Sequence, residues 1–132
     1  MTDFVLPDEL LARYITSSRW YRRADQTVKQ DAFIPPEDPL ELSTTRHLNL
    51  SENEIWDIGN EIVSGQQNRK LHGRADVEVS HVTSQSLNVV ADPTTDNPNH
   101  ANIRGWPPGK DARKLLALEI ARGARFVANP NL

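Results

Sequence analysis

Asp92-Pro93-Thr94-Thr95-Asp96-Asn97-Pro98-Asn99-His100-Ala101-Asn102-Ile103-Arg104-Gly105-Trp106-Pro107-Pro108 joins turn chemistry, an alternating strand and a helix entry in one stretch. Proline presets φ, and Asn and Asp side chains bond their own backbone, so Asp92 to Asn99 reads as a loop. Beyond it, a side-chain repeat of two places His100, Asn102 and Arg104 on one strand face and Ala101 and Ile103 on the other. Upstream, Leu87-Asn88-Val89-Val90-Ala91 reads as another strand, and an antiparallel neighbour is the simplest connection across the loop. A polar row beside a core, in an antiparallel sheet, is the starting point.

Working outward, residues 71–79 read as a strand with Ala75, Val77 and Val79 inward, after which Ser80 caps a turn of helix. Leu40 to Leu48 reads as another, with Leu40, Leu42, Thr44 and Arg46 on one face. Between them, Ser51-Glu52-Asn53-Glu54 is a capping box, in which the serine accepts from the third amide and the glutamate reaches back. A helix over 51–65 follows, with Ile55, Trp56, Ile58, Gly59, Ile62 and Val63 at helical spacing and Gly65 as its stop. Thr27 to Ile34 alternates loosely as a strand closed by Pro35-Pro36. Nearer the start, Pro7-Asp8-Glu9 with Leu10, Leu11, Tyr14 and Ile15 predicts a short helix.

After Pro107-Pro108-Gly109, a helix is predicted over 110–127. Leu116, Ile120, Ala124 and Val127 form one stripe, while Leu115, Leu118 and Phe126 form a second patch bordered by Glu119, Arg122 and Arg125. A helix apolar on two faces is packed on two sides, by its own domain or by another chain. The expected fold is a single α+β domain over 1–132. A small, mainly antiparallel sheet of about five strands packs on two principal helices, 51–65 and 110–127, with a short N-terminal helix.

The chain has 132 residues, 37% of them hydrophobic, with nine prolines and no cysteine. Disulfides, thiol nucleophiles and thiolate metal sites are therefore excluded. Met1 to Leu6 has no basic stretch leading into a long apolar run, and no apolar window approaches membrane-spanning length, so the expected location is the cytoplasm, away from the membrane. The net charge of −3 conceals segregation: residues 13–29 carry +4, residues 31–63 carry −7 and residues 110–125 carry +3. Such blocks either neutralise each other across the fold or recognise partners.

His100 is the candidate for chemistry, because histidine titrates near neutral pH and Asn102, Arg104 and Arg46 offer groups to orient it or hold an anion. It also suits a structural role in the loop. His47, His72, His81 and His100 match no common metal-ligand spacing, and no phosphate-loop, dinucleotide or nucleophile-elbow pattern occurs; no metal or cofactor is expected. Arg19, Trp20, Arg22 and Arg23 combine phosphate-neutralising charge with a stacking ring, the composition of a short nucleic-acid contact, but no recognised binding motif accompanies them.

Leu11-Ala12-Arg13-Tyr14-Ile15, Phe33-Ile34-Pro35-Pro36, Leu40-Glu41-Leu42-Ser43, Ser51 to Trp56, Gly73-Arg74-Ala75-Asp76 and His100 to Pro107 together resemble a family of small uncharacterised bacterial proteins. The resemblance covers most of the chain. It implies a compact bacterial domain, associated with mobile-element or defence-type systems, and transfers no activity. The leading functional expectation is a non-enzymatic accessory subunit that docks on a protein partner, or on its own copy, through Leu115, Leu118, Arg122 and Phe126. A small-molecule- or nucleotide-binding domain centred on His100, with or without catalysis, is the alternative, and a nucleic-acid binder using Arg19 to Arg23 the third.

Overall fold

The computed structural model describes residues 4–132. Along the chain run β1 (Leu10–Ile15), a ribbon of β2 (Tyr21–Arg22) and β3 (Thr27–Val28), β4 (Leu42–Arg46), α1 (Glu52–Gly59), β5 (Gly73–Glu78), α2 (Val79–Thr83), β6 (Asn88–Ala91), β7 (His100–Arg104), α3 (Lys110–Arg122) and β8 (Arg125–Ala128). Six strands form one antiparallel sheet in the order β6-β7-β4-β1-β5-β8, and the fold is α+β. β6 and β7 pair through Val89–Ile103 and Val90–Asn102, the neighbour relation the turn-rich loop predicts.

Each sheet face has its own core. Leu11, Ile15, Leu42, Ala75, Val77, Ala101 and Ile103 alternate onto one face, where Phe33, Val82, Ala117 and Ile120 close over them. Burying these side chains removes most of their apolar surface from water, worth about 1.5–3 kcal/mol for each large one. On the other face Trp56, Val63 and Leu71 form a smaller cluster with Tyr14 and Val127. α1 is held there by its capping box, with Glu54 N–H donating to Ser51 Oγ at 3.1 Å and Ser51 N–H to Glu54 Oε1 at 2.9 Å. Arg74 is the second anchor, bonding Glu52 at 2.7 Å and lying under the Trp56 ring at 4.8 Å. Beyond Gly59 the helix continues as a wider π-type turn over Asn60–Gln66.

Several expectations need correction. The short N-terminal helix is instead β1, a central strand in which Leu11, Ala12 and Ile15 are fully buried. Ladders on both sides of β1 satisfy its backbone, outweighing a helical spacing that covers barely one and a half turns. The 110–127 helix ends at Arg122, and Arg125–Ala128 forms β8 on the sheet edge, making six strands rather than five. Gly73 admits β8: a Cβ there would stand 2.5 Å from the Val127 carbonyl and 2.7 Å from the Phe126 ring. Strand structure after Thr27 stops at Val28, and a 3-10 turn then drives Ala32 and Phe33 into the core. Finally, Ser80 lies inside α2, where its hydroxyl donates to Glu78 at 2.6 Å, and does not cap it.

Candidate functional site

The site arises where two strands part. β1 is in register with all six residues of β5, but with β4 only through Leu11–Arg46 and Ala12–Thr45. Past that point the strands splay, and the Arg13 guanidinium enters the gap. Its Nε donates to the Ala32 carbonyl at 2.8 Å and its Nη1 to the Ser43 carbonyl at 3.1 Å, satisfying acceptors that no neighbouring strand reaches. The Trp20 ring lies 5.1 Å from the guanidinium carbon. Burial holds the Arg13 guanidinium down to about 10.

The splay opens into a cavity of about 740 Å³. Arg13, Trp20, Ile34, Pro35 and Pro36 border one part of it; Tyr14, Ile62, Val63, Asn97 and His100 border another. The Tyr14 hydroxyl donates to the Ile55 carbonyl at 2.5 Å, and burial pushes it up to about 12, so it serves as a donor and not as a base. Asn97 is buried and donates from Nδ2 to Thr45 Oγ1 at 2.8 Å, while its Oδ1 accepts from the Asn99 amide. Thr16 borders the cavity, and its hydroxyl oxygen is buried without a hydrogen-bond partner among the described residues.

His100 and Asn102 converge on one residue. His100 Nδ1 lies 3.0 Å from the Asp92 carbonyl and 3.2 Å from its carboxylate, and Asn102 Nδ2 donates to the same carboxylate at 3.0 Å. Both neighbours of Nδ1 are acceptors, so that nitrogen carries the proton and Nε2 is left as the acceptor of the neutral ring. Arg104 is paired with Glu41. Arg46, by contrast, lies on the opposite sheet face. Thr45, not Arg46, stands opposite His100, and Arg46 is buried in a two-point pair with Glu9 at 2.8 and 2.9 Å. It does not join the polar row.

The remaining candidates separate. Arg19, Arg22 and Arg23 are exposed, with Arg22 3.7 Å from Asp25, whereas Trp20 turns inward to Arg13. Leu115 is 66% exposed on α3. Leu118 and Arg122 border a second depression of about 620 Å³ with Phe126, which β8 supplies and which stacks on Tyr21 at 4.5 Å. Among the described residues there is no cluster of three metal-ligating side chains, and no helix is long and apolar enough to cross a membrane.

Arg13, Tyr14 and Thr16 escape the sequence reading because a helix was expected there; period-two alternation of Leu11, Arg13 and Ile15 against Ala12, Tyr14 and Thr16 is the signal that locates them. No protein-family model, curated protein or solved structure matches this chain.

Proposed function

We propose that the chain is a small-molecule-binding module whose ligand occupies the cavity between β1 and β4. The carrying observation is the cavity itself: at about 740 Å³ it has the size of an organic-ligand pocket, and it joins apolar walls from Ile34, Pro36, Ile62 and Val63 to convergent polar groups at its edges. His100 Nε2 is oriented as an acceptor there by the Asp92 contacts of Nδ1. The reading is binding rather than catalysis, since an acceptor nitrogen without a positioned nucleophile does not define a reaction.

Two-dimensional NMR of labelled protein against a fragment library tests this. Binders are expected to shift the amides of Thr44, Thr45, Ile62 and His100, and Ile62→Trp, which fills the cavity, is expected to abolish those shifts while Leu115→Glu leaves them intact. Shifts scattered over the surface, or unchanged by Ile62→Trp, defeat the proposal.

A docking module is the second reading, favoured by the depression that gathers Leu118, Arg122 and Phe126 beside α3. Its test is solution mass by light scattering: a homo-oligomer or stoichiometric complex that Leu118→Glu dissociates supports docking, and a strict monomer counts against self-association.

A further inference from the structure

We infer that Arg13 anchors the carboxylate of a small organic acid whose apolar body lies along Trp20, Ile34 and Pro36; this rests on the cavity being a ligand site. The argument begins with the three buried arginines. Arg46 is paired with Glu9, Arg74 with Glu52 and Asp76, and Arg113 reaches Glu37 at 3.5 Å. Arg13 differs: among the described residues its only hydrogen bonds are to two neutral carbonyls, no carboxylate pairs with it, and Nη2 makes no hydrogen bond. A guanidinium partly withdrawn from water without a counter-charge is a ready partner for an anion delivered by a ligand.

The second observation is access. Arg13 is half-buried, and its unbonded Nη2 is not among the buried side-chain atoms, so a group entering the cavity can reach it. A carboxylate accepts from a guanidinium through short, charge-assisted hydrogen bonds.

Charge selects the acid over a phosphate. Beside the apolar walls Arg13 presents one positive charge; Arg69 also borders the cavity but is exposed, and Glu41 at the border is paired with Arg104. A monoanion balances Arg13 there, whereas a phosphate dianion held by Arg13 alone leaves a charge uncompensated beside apolar walls. The flanking surfaces of Trp20, Ile34, Pro35 and Pro36 favour a flat or aliphatic body over a sugar.

The test uses the whole chain, with benzoate, 3-phenylpropionate and octanoate as probes, each against its amide and at constant ionic strength, read by calorimetry and by NMR shifts. At least one acid is expected to bind roughly tenfold or more tighter than its amide, with Arg13→Gln abolishing and Arg13→Lys weakening the preference. The acid–amide comparison on the unaltered protein stands even where Arg13→Gln does not fold. Equal binding of acid and amide, or acid binding unchanged in a folded Arg13→Gln protein, overturns the anchor while leaving the cavity a ligand site. The same holds where neutral fragments shift the cavity residues but no acid binds. Failure of acids and fragments alike overturns both readings.

Discussion

At the scale of the residue, a single step along β4 separates a cavity-facing group from a structural one. Thr45 stands opposite His100, and Arg46, its chain neighbour, projects to the other face and is buried against Glu9, both side chains being under 10% exposed. Removing one member of such a pair strands the other charge. Glu9→Ala is therefore expected to lower stability by about 3–5 kcal/mol, read from urea unfolding, and a loss under about 1 kcal/mol would show the pair to be dispensable. That Arg46 and Arg104 are basic, and that His100, Asn102 and Arg104 share a face, is legible in the sequence. Which cations meet an acid is not, because Glu9, Glu41 and Glu52 reach theirs across 37, 63 and 22 residues.

Elements differ in how much of them is local. The α1 start is written in four residues, and Ser51→Ala is expected to cost about 1 kcal/mol by thermal or urea unfolding, with no effect taken as loss of the cap's importance. β1 and β8 are decided elsewhere. Leu10, Leu11, Tyr14 and Ile15 fit a helix as well as a strand, and the ladders from β4 and β5 choose. Val127 likewise continues the stripe of α3, yet its segment leaves the helix after Gly123 to pair with Gly73–Asp76. Because a Cβ at Gly73 collides with the Val127 carbonyl and the Phe126 ring, Gly73→Ala is expected to loosen this edge and destabilise by about 1–3 kcal/mol. Hydrogen exchange reads the result: amides of β8 should lose protection before those of β6, and uniform protection would show that the edge absorbs the methyl group.

For the whole molecule, ion pairs tie the sheet to its surroundings and set its response to acid. Glu9 and Glu52 are held below the ordinary carboxylate range chiefly by hydrogen bonds from Arg46 and Arg74. Burial pushes Asp76 up, but the hydrogen bonds from His47 and Arg74 outweigh it and the net direction is also down. A carboxylate depressed in the folded state adds stability that is present above its unfolded value, near 4, and lost as pH falls through the folded value. The urea midpoint should accordingly fall most steeply below about pH 4, and Glu9→Gln should flatten that limb; an acid limb unchanged in Glu9→Gln would remove Glu9 from the account. By itself the sequence determined an α+β protein with a capped helix near residue 51, the antiparallel neighbours β6 and β7, and the polar face carrying His100, because turn residues, caps and alternation act within a few positions. Only the tertiary structure decided that β1 is a central strand, that it parts from β4 beyond Ala12, and that the gap holds Arg13 with no carboxylate paired to it among the described residues, because long-range pairing sets which backbone groups and charges find partners.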